Sequence, residues 1–126
     1  MKKVMLDAGH GGSDSGAVGN GLEEKDLTSR IAQYAKTYLL NYYEVQIGMT
    51  REDDRFIKLQ ERANIAKRFN ADLFVSIHIN AGGGTGFETF IYSQPSQATI
   101  AFQNILHSRI LQAMRAYGQT ADRGKK

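Results

Sequence analysis

Two apolar periods alternate along this chain, and that alternation limits the folds open to it. Residues 3–6 are a short apolar run ending at a glycine-rich turn, which reads as a strand. Leu27, Ile31, Tyr34, Ala35 and Tyr38 then recur at helical spacing, predicting an amphipathic helix from residue 26 with one buried face. Residues 45–50 alternate as a second strand, and Leu59, Ala63, Ala66 and Phe69 mark a second helix. The dense apolar run at 73–77 reads as a strand buried on both faces. A flexible glycine loop is expected at 82–86 and a fourth strand at 87–92. Pro95 stands ahead of a third predicted helix over 96–117, with Phe102, Leu106, Ile110, Ala113 and Tyr117 on one side and Gly118 as its C-cap. Residues 119–126 read as a short polar tail. This order predicts an α/β fold, a mixed, largely parallel sheet flanked by helices. No repeat or linker interrupts it, so residues 1–126 are expected to form a single domain.

The 126 residues are 41% hydrophobic and 23% charged, ordinary for a globular domain that buries a core without staples. Cysteine is absent, which excludes disulfides and thiolate zinc sites; any metal site must draw on His, Asp and Glu. The net charge of +3 is met by simple solubility. With no basic aromatic stripe, no nucleic-acid partner is expected. Residues 1–7 begin like a signal peptide, but the apolar run stops at Asp7. No stretch approaches the length of a membrane span, so neither an export signal in this chain nor membrane insertion is expected.

In parallel sheets, functional groups gather at the carboxyl ends of strands. Here that rule selects Asp7-Ala8-Gly9-His10 and Ser76-Ile77-His78-Ile79-Asn80. If the two strands are adjacent and parallel, both imidazoles converge. Two histidines and a carboxylate are a catalytic zinc set with one position open for water. Asp14, Glu23, Glu24 and Asp26 are the candidate carboxylates; at a helix start, Glu23 also serves as a simple partner of the helix dipole. The loop at 9–21 carries six glycines, but it lacks the Gly-Lys-Ser/Thr ending of a phosphate-binding P-loop. His107 reads as a surface or helix-end residue, not a ligand.

The run Leu6-Asp7-Ala8-Gly9-His10-Gly11-Gly12, with Asp14 and Gly16, resembles the opening of the zinc-dependent N-acetylmuramoyl-L-alanine amidases of phage endolysin, spore-cortex lytic and cell-separation type. Gly21-Leu22-Glu23-Glu24-Lys25-Asp26 resembles their second motif, in which the Glu before Lys binds zinc. Thr50-Arg51, Glu61-Arg62-Ala63-Asn64, Ser76-Ile77-His78-Ile79-Asn80-Ala81, Gly86-Phe87-Glu88 and Asp122-Arg123-Gly124 match further family stretches in order. The resemblance implies Zn²⁺ held by His10, Glu24 and His78, and a place for Asn80 in positioning substrate. It also implies the reaction: hydrolysis of the amide between the lactyl group of N-acetylmuramic acid and L-alanine in peptidoglycan. The place of action would be the bacterial cell wall, reached by secretion or lysis.

Family members continue to a further strand carrying a catalytic glutamate in a Glu-x-Gly-Phe context. Residues 1–126 contain no such stretch, so the expectation is a domain lacking that last strand, with its catalytic general base beyond Lys126. Such a chain is expected to be weakly active or inactive and to self-associate through an exposed sheet edge. Glu88 is the remaining acidic residue on the fourth predicted strand and reads as solvent-facing. The alternative function is a catalytically silent, zinc-bound module that binds peptidoglycan; a zinc hydrolase acting on another amide or ester is a third.

Overall fold

The computed structural model describes residues 1–80, 85–119 and 121–126. Residues 82–84 of the predicted glycine loop lie outside the described residues. The chain divides into two compact units, residues 1–81 and 82–126, each built around parallel strand pairing.

In the first unit, β1 (Lys2–Ala8) leads through the glycine loop to a short hairpin, β2 (Val18–Gly19) and β3 (Leu22–Glu23). Then come α1 (Glu24–Tyr42), β4 (Val45–Met49), α2 (Leu59–Phe69) and β5 (Leu73–Ile77). The sheet order is β4-β1-β5, all parallel, with Leu6 of β1 opposite Met49 on one side and Val75 on the other. The crossover through α1 runs to one side of β1, and the crossover through α2 returns to the other. The carboxyl end of β1 is therefore a switch point, where such sheets open a crevice.

Successive side chains of β1 point to opposite faces, and the two faces differ in kind. Leu6 and Ala8 pack with Ala32 of α1 in a buried apolar cluster, bordered by Val4, Ala35, Ile47, Met49, Val75 and Ile77. Burying a side chain such as Leu6 contributes about 1.5–3 kcal/mol. On the opposite face Asp7 meets Arg62 of α2, both almost fully buried.

The helix boundaries agree with the sequence reading to within a few residues, but the buried faces do not. In α1 the inward residues are Glu24, Thr28 and Ala32, while Ile31, Tyr34 and Tyr38 of the predicted apolar stripe are exposed. In α2 the buried residue is Arg62, and Leu59 is 83% exposed. The reason is close packing and polar pairing. Ala32 allows α1 to approach Leu6 and Ala8, and Arg62 is accepted inside because the strands offer it partners. Strand β5 also departs from its prediction. It ends the sheet order, and its burial alternates, with Phe74 exposed.

The second unit holds β6 (Phe87–Thr89), α3 (Gln97–Ala116) and β7 (Asp122–Lys125). The Ser96 hydroxyl caps α3, accepting from the Thr99 amide at 3.1 Å, and Gly118 follows the last turn as predicted. Strands β6 and β7 pair in parallel across this helix. The sequence reading leaves β7 as a tail because Asp122-Arg123-Gly124-Lys125 has no apolar period; its strand is made by backbone pairing and by polar ties such as Asp122 to His107. The buried face of α3 is Gln103, His107 and Leu111, one position away from the predicted Phe102, Leu106 and Ile110 row.

Candidate metal centre

The site is built from the chain immediately after β1, the start of α1 and the chain after β5. Backbone geometry positions each part. His10 lies in the left-handed region at φ 65°, unusual for a residue with a Cβ, so its surroundings must hold it there. Two buried guanidinium groups do so. Arg62 donates to the carbonyls of Ala8 at 2.7 Å and His10 at 2.8 Å. Arg51 donates to those of Ala8 at 3.1 Å and Gly9 at 3.0 Å. Three successive carbonyls of the loop are thus accounted for.

Asp7 supplies the countercharge. Its carboxylate accepts from Arg62 at 2.8 Å, Thr50 at 2.7 Å and Ser76 at 2.6 Å. Burial pushes this carboxyl up, but hydrogen bonds from Ser76, Arg62 and Thr50 outweigh that and hold it below the usual range. Desolvation, reinforced by Arg62, lowers the pKa of Arg51. Thr28 of α1 completes the frame by donating to the Gly9 carbonyl at 2.8 Å.

Glu24 is brought in by the β2–β3 hairpin. Its two-residue loop is Asn20-Gly21, with φ 52° and 74°, the form that suits the twist of a tight hairpin. That dipeptide is legible in the sequence, yet the sequence reading leaves 9–21 as plain loop. The first amides of α1 are paired without a side-chain cap: Glu24 donates to the Ala17 carbonyl at 2.8 Å and Lys25 to that of Ser15 at 3.0 Å. The Glu24 side chain is only 5% exposed. Its Oε1 accepts from the Ala17 amide at 3.0 Å and its Oε2 from the Ile79 amide at 2.9 Å. Burial raises this carboxyl, and those two amides, with His10 and His78, bring it below the usual range, so it is ionised at neutral pH.

Around Glu24 Oε2 stand His10 Nε2 at 3.0 Å and His78 Nδ1 at 3.2 Å, with the two rings edge to face at 5.1 Å. One ligand atom from each residue lies within 4.8 Å of the other two. Donors about 2.0–2.1 Å from a tetrahedral zinc ion stand about 3.3 Å apart, so the two measured separations fit such an ion. Two imidazoles and a carboxylate are also the donor chemistry that zinc accepts. Two glycines make the convergence possible. A Cβ on Gly9 would lie 2.5 Å from His78 Cε1, and one on Gly16 would lie 2.7 Å from His10 Cδ2. On its other edge His10 Nδ1 hydrogen-bonds Asp14 Oδ2 at 2.9 Å. That bond, ahead of the Gly16 amide, holds the Asp14 carboxyl below the usual range.

Comparison with known proteins gives the family. The family model described as N-acetylmuramoyl-L-alanine amidase matches residues 4–126. The chain belongs to the N-acetylmuramoyl-L-alanine amidase family. It is 48% identical over 127 residues to the sporulation-specific N-acetylmuramoyl-L-alanine amidase of Bacillus subtilis (strain 168), covering 100% of this chain and 48% of that protein. It is 48% identical over 128 residues to the endolysin of Bacillus phage SPP1, covering 99% of this chain and 47% of that one. The chain thus spans about half the length of the curated relatives it matches. Among solved structures, the catalytic domain of CwlV, an N-acetylmuramoyl-L-alanine amidase from Bacillus (Paenibacillus) polymyxa var. colistinus, superposes with a TM-score of 0.84 at 37% identity. That match covers 99% of this chain and 69% of that one. The α/β fold expected from the order of elements is the fold of these family members.

Within this amidase-family site, the structure gathers His10, Glu24 and His78. Asn80 is exposed two residues beyond His78. Of the other candidate carboxylates, Asp14 faces His10, Glu23 is half exposed beside Lys25, and Asp26 is exposed on α1. Lys25 bonds Asp54 and the Gly12 carbonyl and ties down the glycine loop.

Two readings are corrected. His107 is buried, not superficial, with Nδ1 on Thr89 at 3.0 Å and Nε2 on Asp122 at 2.8 Å. Glu88 does not face solvent; its side chain is 9% exposed and paired with Arg123 and Lys126. Asp7, Arg51 and Arg62 were given no role by the residue pattern. Their signal was present as charge at positions that periodicity assigns to the interior: Asp7 ends an apolar strand, and Arg62 sits one turn from Leu59 and Ala66.

Proposed function

We propose that residues 1–126 are the zinc-dependent catalytic domain of a peptidoglycan amidase. The reaction is hydrolysis of the amide between the lactyl group of N-acetylmuramic acid and L-alanine at the bacterial cell wall. The observation that carries this reading is the convergence of His10 Nε2 and His78 Nδ1 on the buried Glu24 carboxylate. Support also comes from the family and from the agreement between donor spacing and zinc.

His10, Glu24 and His78 would hold the ion. Held there, zinc would supply Lewis acidity, activating water near neutral pH and polarising the scissile carbonyl. The protein's own contribution is preorganisation. The Ala17 and Ile79 amides keep Glu24 ionised and oriented. The Asp7–Arg62–Arg51 network keeps the His10 loop in its left-handed turn. Asn80, just beyond His78 at the strand end, is assigned to orient the substrate.

The test measures zinc content and affinity of the chain and of His78→Ala, alongside release of amino groups from purified peptidoglycan. One zinc per chain, lost in the variant, with weak or no amine release from residues 1–126, is the expected result. One zinc with strong amine release would show that a residue within 1–126 serves as general base and would reject the silent peptidoglycan-binding module. No zinc in the parent chain would overturn the reading itself.

A further inference from the structure

The two histidines of the site present different nitrogens to Glu24, Nε2 from His10 and Nδ1 from His78. For His10 the choice is imposed from outside the ligand set. Its backbone is immobilised by Arg62 and Arg51, which leaves rotation of the imidazole ring as the open freedom. One ring edge lies against Gly16, where a Cβ would come within 2.7 Å of Cδ2. The other edge carries Nδ1, 2.9 Å from Asp14 Oδ2. An ionised carboxylate only accepts, so Nδ1 donates to Asp14, which leaves Nε2 as the nitrogen open to a metal.

Asp14 is itself held in place. Its Oδ1 accepts from the Gly16 amide at 3.1 Å, and its backbone pairs with Gly11 in both directions, at 2.8 and 3.0 Å. The loop therefore folds over four residues to bring a carboxylate back onto the histidine it has just presented. We propose that Asp14 is a positioning residue, which fixes the tautomer and ring orientation of His10 so that Nε2 is offered to the metal. This rests on the zinc site of the proposed function. It goes further in assigning a role to a residue outside the three ligands, and it predicts that His10 and His78 respond differently to the same substitution.

Losing a carboxylate partner of a ligating histidine typically weakens metal binding by 10–100-fold. Asp14→Ala is therefore expected to lower zinc affinity by ~10–100-fold, with Asp14→Asn between it and the parent chain. The side chain is 44% exposed, so neither change opens the core, and the metal-free melting temperature should stay close to the parent's. Affinity is read by calorimetric titration of zinc into the metal-free chain. Tautomers are read by ¹⁵N NMR of histidine-labelled, metal-free protein. The parent should show His10 with a hydrogen on Nδ1, Asp14→Ala should move it to Nε2 beside Glu24, and His107 should not change in either.

Zinc binding unchanged in Asp14→Ala, or a His10 tautomer indifferent to it, overturns the proposal. A parent chain that binds no zinc overturns the proposed function instead, and the tautomer measurement then still decides whether Asp14 orients His10. Should Asp14→Ala melt far below the parent, Asp14→Asn, which keeps one of the two acceptor oxygens, carries the same comparison.

Discussion

Each unit of this chain contains a histidine beside an aspartate, and the two pairs do different work. In the second unit both nitrogens of His107 are used within the protein, by Thr89 and Asp122, and the ring lies buried against Phe87 at 4.9 Å. Nothing remains to offer a ligand. That pair joins α3 to β6 and β7 and is a structural tie. In the first unit His10 spends Nδ1 on Asp14 and turns Nε2 towards Glu24 and His78. A histidine is poised to bind metal when one nitrogen is anchored and the other is aimed at further donors. Burial alone is a poor guide, since the structural histidine is the more buried of the two.

The largest expected contrast separates the two pairs outright. His10→Ala should abolish stoichiometric zinc binding, whereas His107→Ala should retain one zinc per chain, both read by metal analysis after dialysis. Equal loss in both would break the distinction. The next effect concerns the frame beneath His10. Arg62→Met leaves Asp7 buried without its main countercharge, and breaking a buried pair in this way costs about 3–5 kcal/mol. Denaturant unfolding of the metal-free chain would show it.

His107→Ala should cost less, about 1–3 kcal/mol, because Thr89 Oγ1 keeps its bond from Gln103 and Asp122 remains accessible to water. The smallest effect is on acid stability. The Asp122 carboxyl is held below its usual range chiefly by the hydrogen bond to His107, with help from the Gly124 amide. A depressed carboxyl contributes stability that is present above the unfolded value of about 3.9 and is lost as pH falls through the folded one. Asp122→Asn should therefore flatten part of the stability decline below about pH 4, measured by melting temperature against pH.

The sheet and the cluster of His10, Glu24 and His78 were largely legible in the residues. Strand-to-helix alternation predicted β1, β4 and β5. The strand-end rule selected His10 and His78, and the Glu24-Lys25 motif pointed to the carboxylate. The failures share a cause. Apolar periodicity chose the stripe Ile31, Tyr34, Tyr38 for the inner face of α1, yet the helix turns Glu24, Thr28 and Ala32 inwards. The same error hid Arg62 and His107. A hydrophobic count cannot show that a polar residue will find its partners on a strand distant in sequence, such as Asp7 for Arg62, 55 residues away.

By itself, then, the sequence determined which side chains lie at strand ends, because local period and chain direction suffice for that. It also determined the Asn20-Gly21 turn that returns the chain to Glu24, because the left-handed backbone of that turn favours those two residues. Only the tertiary structure decided which nitrogen of each histidine faces the carboxylate and which charges lie inside. It alone showed that Asp14 stands behind His10 and outside the cluster of His10, Glu24 and His78. Those outcomes depend on hydrogen bonds between segments that meet when the parallel strands pair, and distance along the chain carries no record of them.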